Sequence, residues 1–182
     1  GSVAEVLRGA GDETAATPHL AVVVSGAPAS PESTGPWLAT GTPVLPVWCL
    51  PDHASIGPLL QARGGPCLTC IELTRVGVDP GWPWLRAQLT RPHVSGPERV
   101  DGLPGLRLLA AGLVTTRVLD HAAGLMTAPE WSFEVATPGP TLERHRWPAH
   151  PRCEGCGSRG EAATPADDGS STRTGWSDTM TG

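Results

Sequence analysis

The sequence predicts a mixed α/β domain built on a partly parallel sheet, and three observations carry that reading. The stretch "HLAVVVSG" (19–26) is a continuous β-branched apolar run, the kind buried on both faces of a parallel sheet. The stretch "GLRLLAAGLVTTRVLDHAAGL" (105–125) carries a broad apolar stripe at helical spacing through Leu106, Leu109, Ala110, Leu113 and Val114. "EWSFEVATPG" (130–139) and "TLERHRW" (141–147) alternate like the two arms of a hairpin.

Each element follows in order. Residues 1–18 form a flank with a helix-like segment, "VAEVLRGA", stopped by Gly9 and Gly11. After the first strand, "ASPESTGPWLAT" reads as a loop and weak helix. "TPVLPVWCL" is a second strand, in which Pro46 signals an edge or a bulge because it donates no hydrogen bond. "ASIGPLLQARGGPCLTC" runs as strand, tight turn and cysteine knuckle. A helix starts near Pro66 or Cys67, and "PGWPWLRAQL" is a second short one. Residues 92–102 read as a flexible loop before the long helix, where Gly112 marks a place of close packing. From Ser158 to the end no apolar pattern survives, and Trp176 is the lone aromatic, so 158–182 reads as a disordered tail behind a domain at 19–157.

Composition narrows the function classes. The chain has 182 residues, enough for one domain with a real core. Net charge is −5, which argues against nucleic acid as a partner. All 13 basic residues are Arg, and no Lys occurs. No apolar run reaches the roughly 18 residues that a bilayer span needs. No secretory signal is visible, so the expected location is the cytoplasm and no membrane is involved. The chain opens Gly1-Ser2 rather than with Met, which reads as a processed product or a fragment.

Four of the five cysteines form two matched pairs, Cys67-x-x-Cys70 and Cys153-x-x-Cys156. Zinc favours a tetrahedral set of four thiolates, and a two-residue spacer lets both sulfurs of one knuckle reach one ion. The 82 residues between the pairs exceed zinc-ribbon spacing, so the metal would act as a clip across the domain rather than as a finger. With four protein ligands the ion would be structural. The competing readings are a redox pair, unrelated thiols, or a disulfide between the pairs. Cys49, in "VWCL", reads as a buried small hydrophobe.

Several motifs together resemble the ThiF-like superfamily of ubiquitin-activating-type adenylyltransferases. The narrower resemblance is to the actinobacterial branch of bacteriocin-biosynthesis cyclodehydratase proteins, ThiF-like partners of YcaO enzymes. The matching residues are Gly57-Pro58-Leu59, the Gly65-Pro66-Cys67-x-x-Cys70 knuckle, the Asp79, Pro80, Trp82 and Pro83 loop, and His150-Pro151-x-Cys153. The resemblance covers roughly residues 19 to 157. The resemblance implies a partial Rossmann-like sheet with a C-terminal hairpin and a four-cysteine zinc clip.

The departures from that family are equally informative. The Gly-rich nucleotide loop and the acidic ribose ligand of its N-terminal half have no counterpart. Gly9-Ala10-Gly11 lacks a preceding strand and reads as a helix stop. The family's triphosphate-binding Lys is missing, as is a leader-gripping winged helix. The implied function is a non-catalytic zinc domain, a scaffold or a partner- and peptide-binding subunit in thiazole- or oxazole-forming, bacteriocin-type peptide modification. Its partners would be a YcaO-type enzyme or a second copy, and a precursor peptide. The alternative is the C-terminal fragment of an active ATP-dependent adenylyltransferase; a plain cysteine-ribbon binding module stands third. Whether the protein is an enzyme stays open, with the absent nucleotide half pointing away from activity by this chain alone.

The remaining polar residues offer weaker constellations. Asp52-His53 could be a base and its orienter, but adjacent residues on an extended chain point opposite ways, and a polar loop explains them as well. His145 and His150 flank Trp147, and His150 suits hydrogen bonding to a thiolate. His121 suits a helix C-terminus. Trp82 and Trp84 lie on a Pro-bounded segment that either serves recognition or covers the knuckle. A sheet cut at its nucleotide half should also expose the edge of "HLAVVV", to be covered by another copy or a different subunit.

Overall fold

Short β-rich runs joined by short helices give one sheet with helices on both faces. The computed structural model describes residues 3–6, 18–91, 104–154 and 156. Among these, the elements are β1 (Val3–Val6), β2 (Ala21–Ser25), α1 (Pro31–Ala39), β3 (Val44–Cys49), β4 (His53–Ile56), α2 (Leu68–Val78), α3 (Trp82–Leu89), α4 (Pro104–Ala122), β5 (Trp131–Ala136) and β6 (Thr141–Arg146). The strands lie side by side in chain order. Only β2 and β3 are parallel, and every other neighbouring pair is antiparallel.

The parallel pair needs a crossover, which α1 supplies. Its start is written in "SPES": the Ser30 hydroxyl accepts from the Ser33 N–H at 3.3 Å, the Ser33 hydroxyl accepts from the Ser30 N–H at 3.1 Å, and Pro31 sits in the first turn. α2 and α3 follow on the same face of the sheet as α1, and α4 covers the other. The period-2 alternation of the strands therefore divides the core in two. Val22, Leu45, Val47, Cys49, Ala54, Ile56 and Val135 pack against Leu106 and Ala110 of α4. Ala21, Val23 and Val44 pack with Leu60, Ile71 and Trp147 on the opposite face.

Several expectations change. Val3–Val6 is a strand, not part of a helix, and it pairs with β2 from Val3↔Val24 to Val6↔Ala21. Pairing with β2 gives this segment backbone partners along its length, whereas an isolated short helical turn is costly to nucleate. The "HLAVVV" edge is therefore covered by the chain itself rather than by a second subunit. Pro46 lies in an interior strand. Its carbonyl accepts from Gly57 N–H, and between Val47↔Ile56 and Val44↔Leu60 three residue steps on β3 are matched by four on its neighbour. That extra residue is the bulge that accommodates the missing N–H. Gly57 at the bulge has φ +87°, and a Cβ there would lie 3.1 Å from the Trp131 carbonyl, so only Gly fits.

On α4 the buried stripe runs through Leu106, Ala110 and Arg117, while Leu109 is 47% exposed. Among the described residues, nothing lies within 4 Å of a Cβ added at Gly112, so the close packing expected there is not found among them. Arg117 is buried in a stripe that is otherwise apolar. It donates to the Ala128 and Trp131 carbonyls at 3.3 and 3.5 Å, lies over the Phe133 ring, and burial depresses its pKa. Gly9, Gly11, the 92–102 loop and the tail from Ser158 lie outside the described residues. Among the described residues, no helix is long and apolar enough to cross a membrane.

Candidate metal centre

Two local structures, distant in sequence, meet on the α1–α3 face. The first knuckle is the start of α2: Cys67 is its N-cap and Cys70 lies in the first turn. A helix N-terminus favours anionic sulfur, since its free N–H groups and dipole point at it. The second knuckle follows β6. The chain leaving β6 is pinned by Trp147, whose indole N–H donates to Ser132 Oγ at 2.8 Å and whose backbone N–H donates to the Glu130 carbonyl at 2.9 Å. It then turns at His150-Pro151-Arg152, with Cys153 N–H on the His150 carbonyl at 2.9 Å, and Cys156 N–H on the Cys153 carbonyl at 3.2 Å.

The four sulfurs converge. Cys67 Sγ is 3.7 Å from Cys70 Sγ and 3.6 Å from Cys153 Sγ, and all four Sγ atoms lie within 4.8 Å of one another. Tetrahedral ligands at ~2.3 Å from one ion stand about 3.8 Å apart, so the set fits a four-thiolate metal. None is in a disulfide, and Cys70 and Cys153 are buried. The surroundings add support from backbone donors: the His150 N–H points at Cys70 Sγ at 3.3 Å. Such amides neutralise thiolate charge without adding a ligand.

The thiols differ in their electrostatics. At Cys67 burial pushes upward, but the Cys70 N–H and the neighbouring thiols of Cys153, Cys156 and Cys70 outweigh it, and the pKa falls to about 7. Burial raises Cys70. Cys156 is pushed up to about 12, by burial first and then by Cys67 and Cys70. One sulfur thus ionises readily and accepts hydrogen bonds from its neighbours, while Cys70 and Cys156 keep their protons, as expected when four anionic sites share a small volume without a cation.

Arg75, four residues beyond Ile71 on α2, ties this centre to the sheet. Its guanidinium carbon lies 4.4 Å from the Trp82 ring centroid, 5.2 Å from Trp147 and 5.8 Å from Trp48. Burial lowers its pKa, and Glu134 and Glu72 oppose the shift. The spacing Ile71, Arg75 on one helical face was available in the sequence; that three tryptophans from β3, α3 and the second knuckle's stem would surround it was not. Trp82 also donates to Glu72 Oε2 at 2.7 Å, whereas Trp84 is 78% exposed. Trp82 therefore covers the knuckle helix, whereas the Trp84 ring faces solvent.

The histidine expectations resolve differently. His150 serves the site through its backbone, while its Nδ1 accepts from the Arg152 N–H at 3.1 Å. His145 is on β6, with Nε2 3.3 Å from Glu134 Oε2, away from the sulfurs. No hydrogen bond joins Asp52 to His53; His53 stacks on Trp48 at 5.5 Å and faces Glu134 at 3.9 Å. His121 lies in the last turn of α4, and its Nε2 is 3.1 Å from the His19 carbonyl just before β2. Cys49 sits in the apolar core, and burial raises its pKa.

A separate cleft of about 600 Å³ opens beyond the carboxyl end of β2, among Ser25, Gly26, Ser30, Glu32, Glu72 and Arg86. In α/β sheets ligands bind at such strand ends. Arg86, however, is committed to Glu72 at 3.4 Å and to the Ala29 carbonyl at 3.1 Å. Glu32, lowered by its hydrogen bond to Ser30, adds a second carboxylate.

No protein-family model and no curated protein matches the sequence. Solved structures do. MccB of E. coli aligns with a TM-score of 0.52 and 14% identity over 82% of this chain and 42% of MccB. A heterocyclase solved with substrate and cofactor aligns with a TM-score of 0.52 and 19% identity over 78% of this chain and 21% of that one. The microcin C7 biosynthetic enzyme MccB, solved with N-formylated MccA, aligns at 0.51 and 14% identity over 77% of this chain. The fold is a partial ThiF-like fold. This chain spans about two fifths of MccB and one fifth of the heterocyclase.

Proposed function

We propose that this chain is the zinc-bearing part of a ThiF-like protein, acting as a scaffold that binds a partner or precursor peptide in ribosomal-peptide modification of the thiazole/oxazole, bacteriocin type. The observation that carries it is the convergence of Cys67, Cys70, Cys153 and Cys156 on a fold shared with proteins solved with MccA peptide and with a heterocyclase substrate. Zinc suits the donor set: four sulfurs, no carboxylate or imidazole among them, and no coordination position left for water. In that role the ion holds the start of α2 against the stem of the second knuckle. It thereby fixes the Arg75–tryptophan cluster and the exposed Trp84 beside it. A protein partner, a YcaO-type enzyme or a second copy, would complete the assembly.

ATP chemistry is disfavoured by the chain's own residues. Adenylyl transfer relies on amides of a Gly-rich loop, basic side chains and Mg²⁺ around the phosphates. Here the strand-end cleft presents Glu32 and Glu72 with a paired Arg86, and the sequence has no Lys. The second reading, a fragment of an active adenylyltransferase, draws on one finding: the alignment with MccB solved with ATP covers only 40% of that chain. Calorimetry with ATP and Mg²⁺, alongside titration of a precursor-type peptide, separates the two. Peptide binding without ATP binding is expected, and micromolar ATP binding by this chain would favour the enzyme.

A further inference from the structure

One row of directly paired residues crosses four strands on the α1–α3 face: Trp48 on β3, Ser55 on β4, Glu134 on β5 and Glu143 on β6. Directly opposed residues project from the same face of a sheet, as do residues two apart on one strand. His53 and His145, two positions from Ser55 and Glu143, therefore stand beside the two carboxylates. The side chains meet. Glu134 Oε2 is 3.9 Å from His53 Nε2 and 3.3 Å from His145 Nε2, and His145 Nε2 is 3.8 Å from Glu143 Oε2.

Two features of this cluster are costly as they stand. Like charges directly opposed across a hairpin destabilise it. Among the described residues no arginine forms an ion pair with Glu134 or Glu143: Arg146 pairs with Glu130, Arg144 lies over Trp131, and Arg75 acts on Glu134 from among its three tryptophans. His145 Nε2 is also shielded from solvent without making a hydrogen bond, because its approach to Glu134 is not aligned as one. A buried polar atom in that state calls for a further partner, and an ion is one.

We propose that His53, Glu134, His145 and Glu143 form a second metal site, separate from the cysteines, for a divalent transition ion of the zinc class. Imidazole with carboxylate suits zinc, nickel or iron rather than calcium or magnesium, which take oxygen donors alone. With both imidazoles neutral, the two carboxylates balance the charge of a divalent ion. Ligands at ~2.0 Å from a tetrahedral ion stand about 3.3 Å apart, which matches the His145–Glu134 separation; the two longer edges must close by about half an ångström. Among the described residues the four cysteines are the set whose donor atoms already lie within 4.8 Å of one another. The second site therefore assembles on binding, by rotation of side chains that solvent reaches, Glu143 being 68% and His145 43% exposed. Bound there, the ion would tie β4 to the β5–β6 hairpin and relieve the opposed carboxylates. Fixing exposed rotamers costs entropy, so the ion should bind in the micromolar range and leave on desalting. Zinc that survives purification then belongs to the cysteines.

The test starts from desalted protein, its retained zinc measured by elemental analysis. Calorimetry with zinc chloride should show one equivalent beyond the retained metal, with a micromolar Kd. His53→Ala, Glu134→Gln and His145→Ala should each weaken that equivalent by about tenfold or more, while retained zinc and circular dichroism stay unchanged. His121→Ala, on α4, should change nothing. In histidine-ring NMR spectra the His53 and His145 signals should shift together as zinc is added, and the His121 signal should stay in place. Absence of a further micromolar equivalent overturns the proposal, as does one that survives both Glu134→Gln and His145→Ala. A further equivalent indifferent to His53→Ala overturns the span from β4 to β6. Where a variant also loses its retained zinc, the wild-type spectra decide: added zinc that leaves both rings unmoved overturns the site.

Discussion

The two faces of the sheet are stabilised by different physics. On the α4 face, Leu45, Ile56, Leu59 and Leu106 are essentially inaccessible and belong to one apolar cluster. On the α1–α3 face the apolar set is smaller, and polar groups fill the rest: four thiols, Arg75 among three tryptophans, Glu72, Glu134, and Ser132 bonded to Trp147. The first face is non-directional: apolar area and packing hold it. The second depends on a few named contacts, each conditional on the others. The function proposed above rests on the second, because chemistry needs directional groups, and those must be held by partners rather than by area.

The sharpest way to break the contrast is at the metal. Cys153→Ser should reduce bound zinc from about one per chain to near none. The loss should be global, since structural zinc sites contribute on the order of 10 kcal/mol to folding. Elemental analysis with thermal denaturation reads both. Acid should do the same reversibly. In the metal-free fold Cys67 titrates at about 7, while Cys70 and Cys156 stay protonated well above that. Metal must therefore displace protons, and its affinity falls as pH falls. The decline steepens below pH 7, where Cys67 also takes up its proton. Bound thiolates are depressed relative to unfolded thiols near 8.5, so their stabilisation is present above that value and lost on acidification. Chelator competition at several pH values measures the slope.

On the other face, Leu106→Ala should cost about 2–5 kcal/mol through the cavity it leaves beneath α4. Its metal stoichiometry should be unchanged. Lower melting temperature together with loss of zinc would mean that the two faces are coupled more tightly than their contacts suggest.

Arg75 tests the link between the centre and the sheet. Arg75→Met keeps the stem and removes the charge that faces Trp48, Trp82 and Trp147. A desolvated cation–π contact is worth about 2 kcal/mol, part of which methionine's packing returns. Expected are a loss of about 1–2 kcal/mol and faster transfer of zinc to a chelator, with stoichiometry retained.

Much of this contrast is legible in the sequence, for physical reasons that also mark its limits. β2 and β3 are continuous apolar runs, and the hairpin of β5 and β6 alternates, so periodicity locates them. The knuckles are visible because metal geometry constrains spacing within each pair. "VAEV" reads wrongly as helix because four residues carry too little periodicity to separate a strand from a helical turn; its pairing with β2 is a tertiary fact. Leu109 joins the expected buried stripe only because apolarity does not say which side α4 turns to the sheet. The Arg75 cluster draws on residues 48, 75, 82 and 147, and no local window contains such a set.

The smallest expected effect is at Gly112, and its sign is informative. Glycine in the middle of an α-helix is disfavoured against alanine by about 1 kcal/mol, because the unfolded chain has more conformations to lose. Such a residue is ordinarily explained by a neighbour that leaves no space for a Cβ. At Gly112 nothing among the described residues lies within 4 Å of that position, and the backbone is ordinary helix. Gly112→Ala should therefore stabilise the monomer by about 1 kcal/mol, measured by denaturant unfolding at low micromolar concentration. Gly57→Ala, whose Cβ meets the Trp131 carbonyl at 3.1 Å with φ +87°, should destabilise clearly. If Gly112→Ala also destabilises the dilute monomer, the explanation of this glycine lies within the chain. If it stabilises the dilute protein but lowers melting at high concentration, what Gly112 accommodates is another molecule.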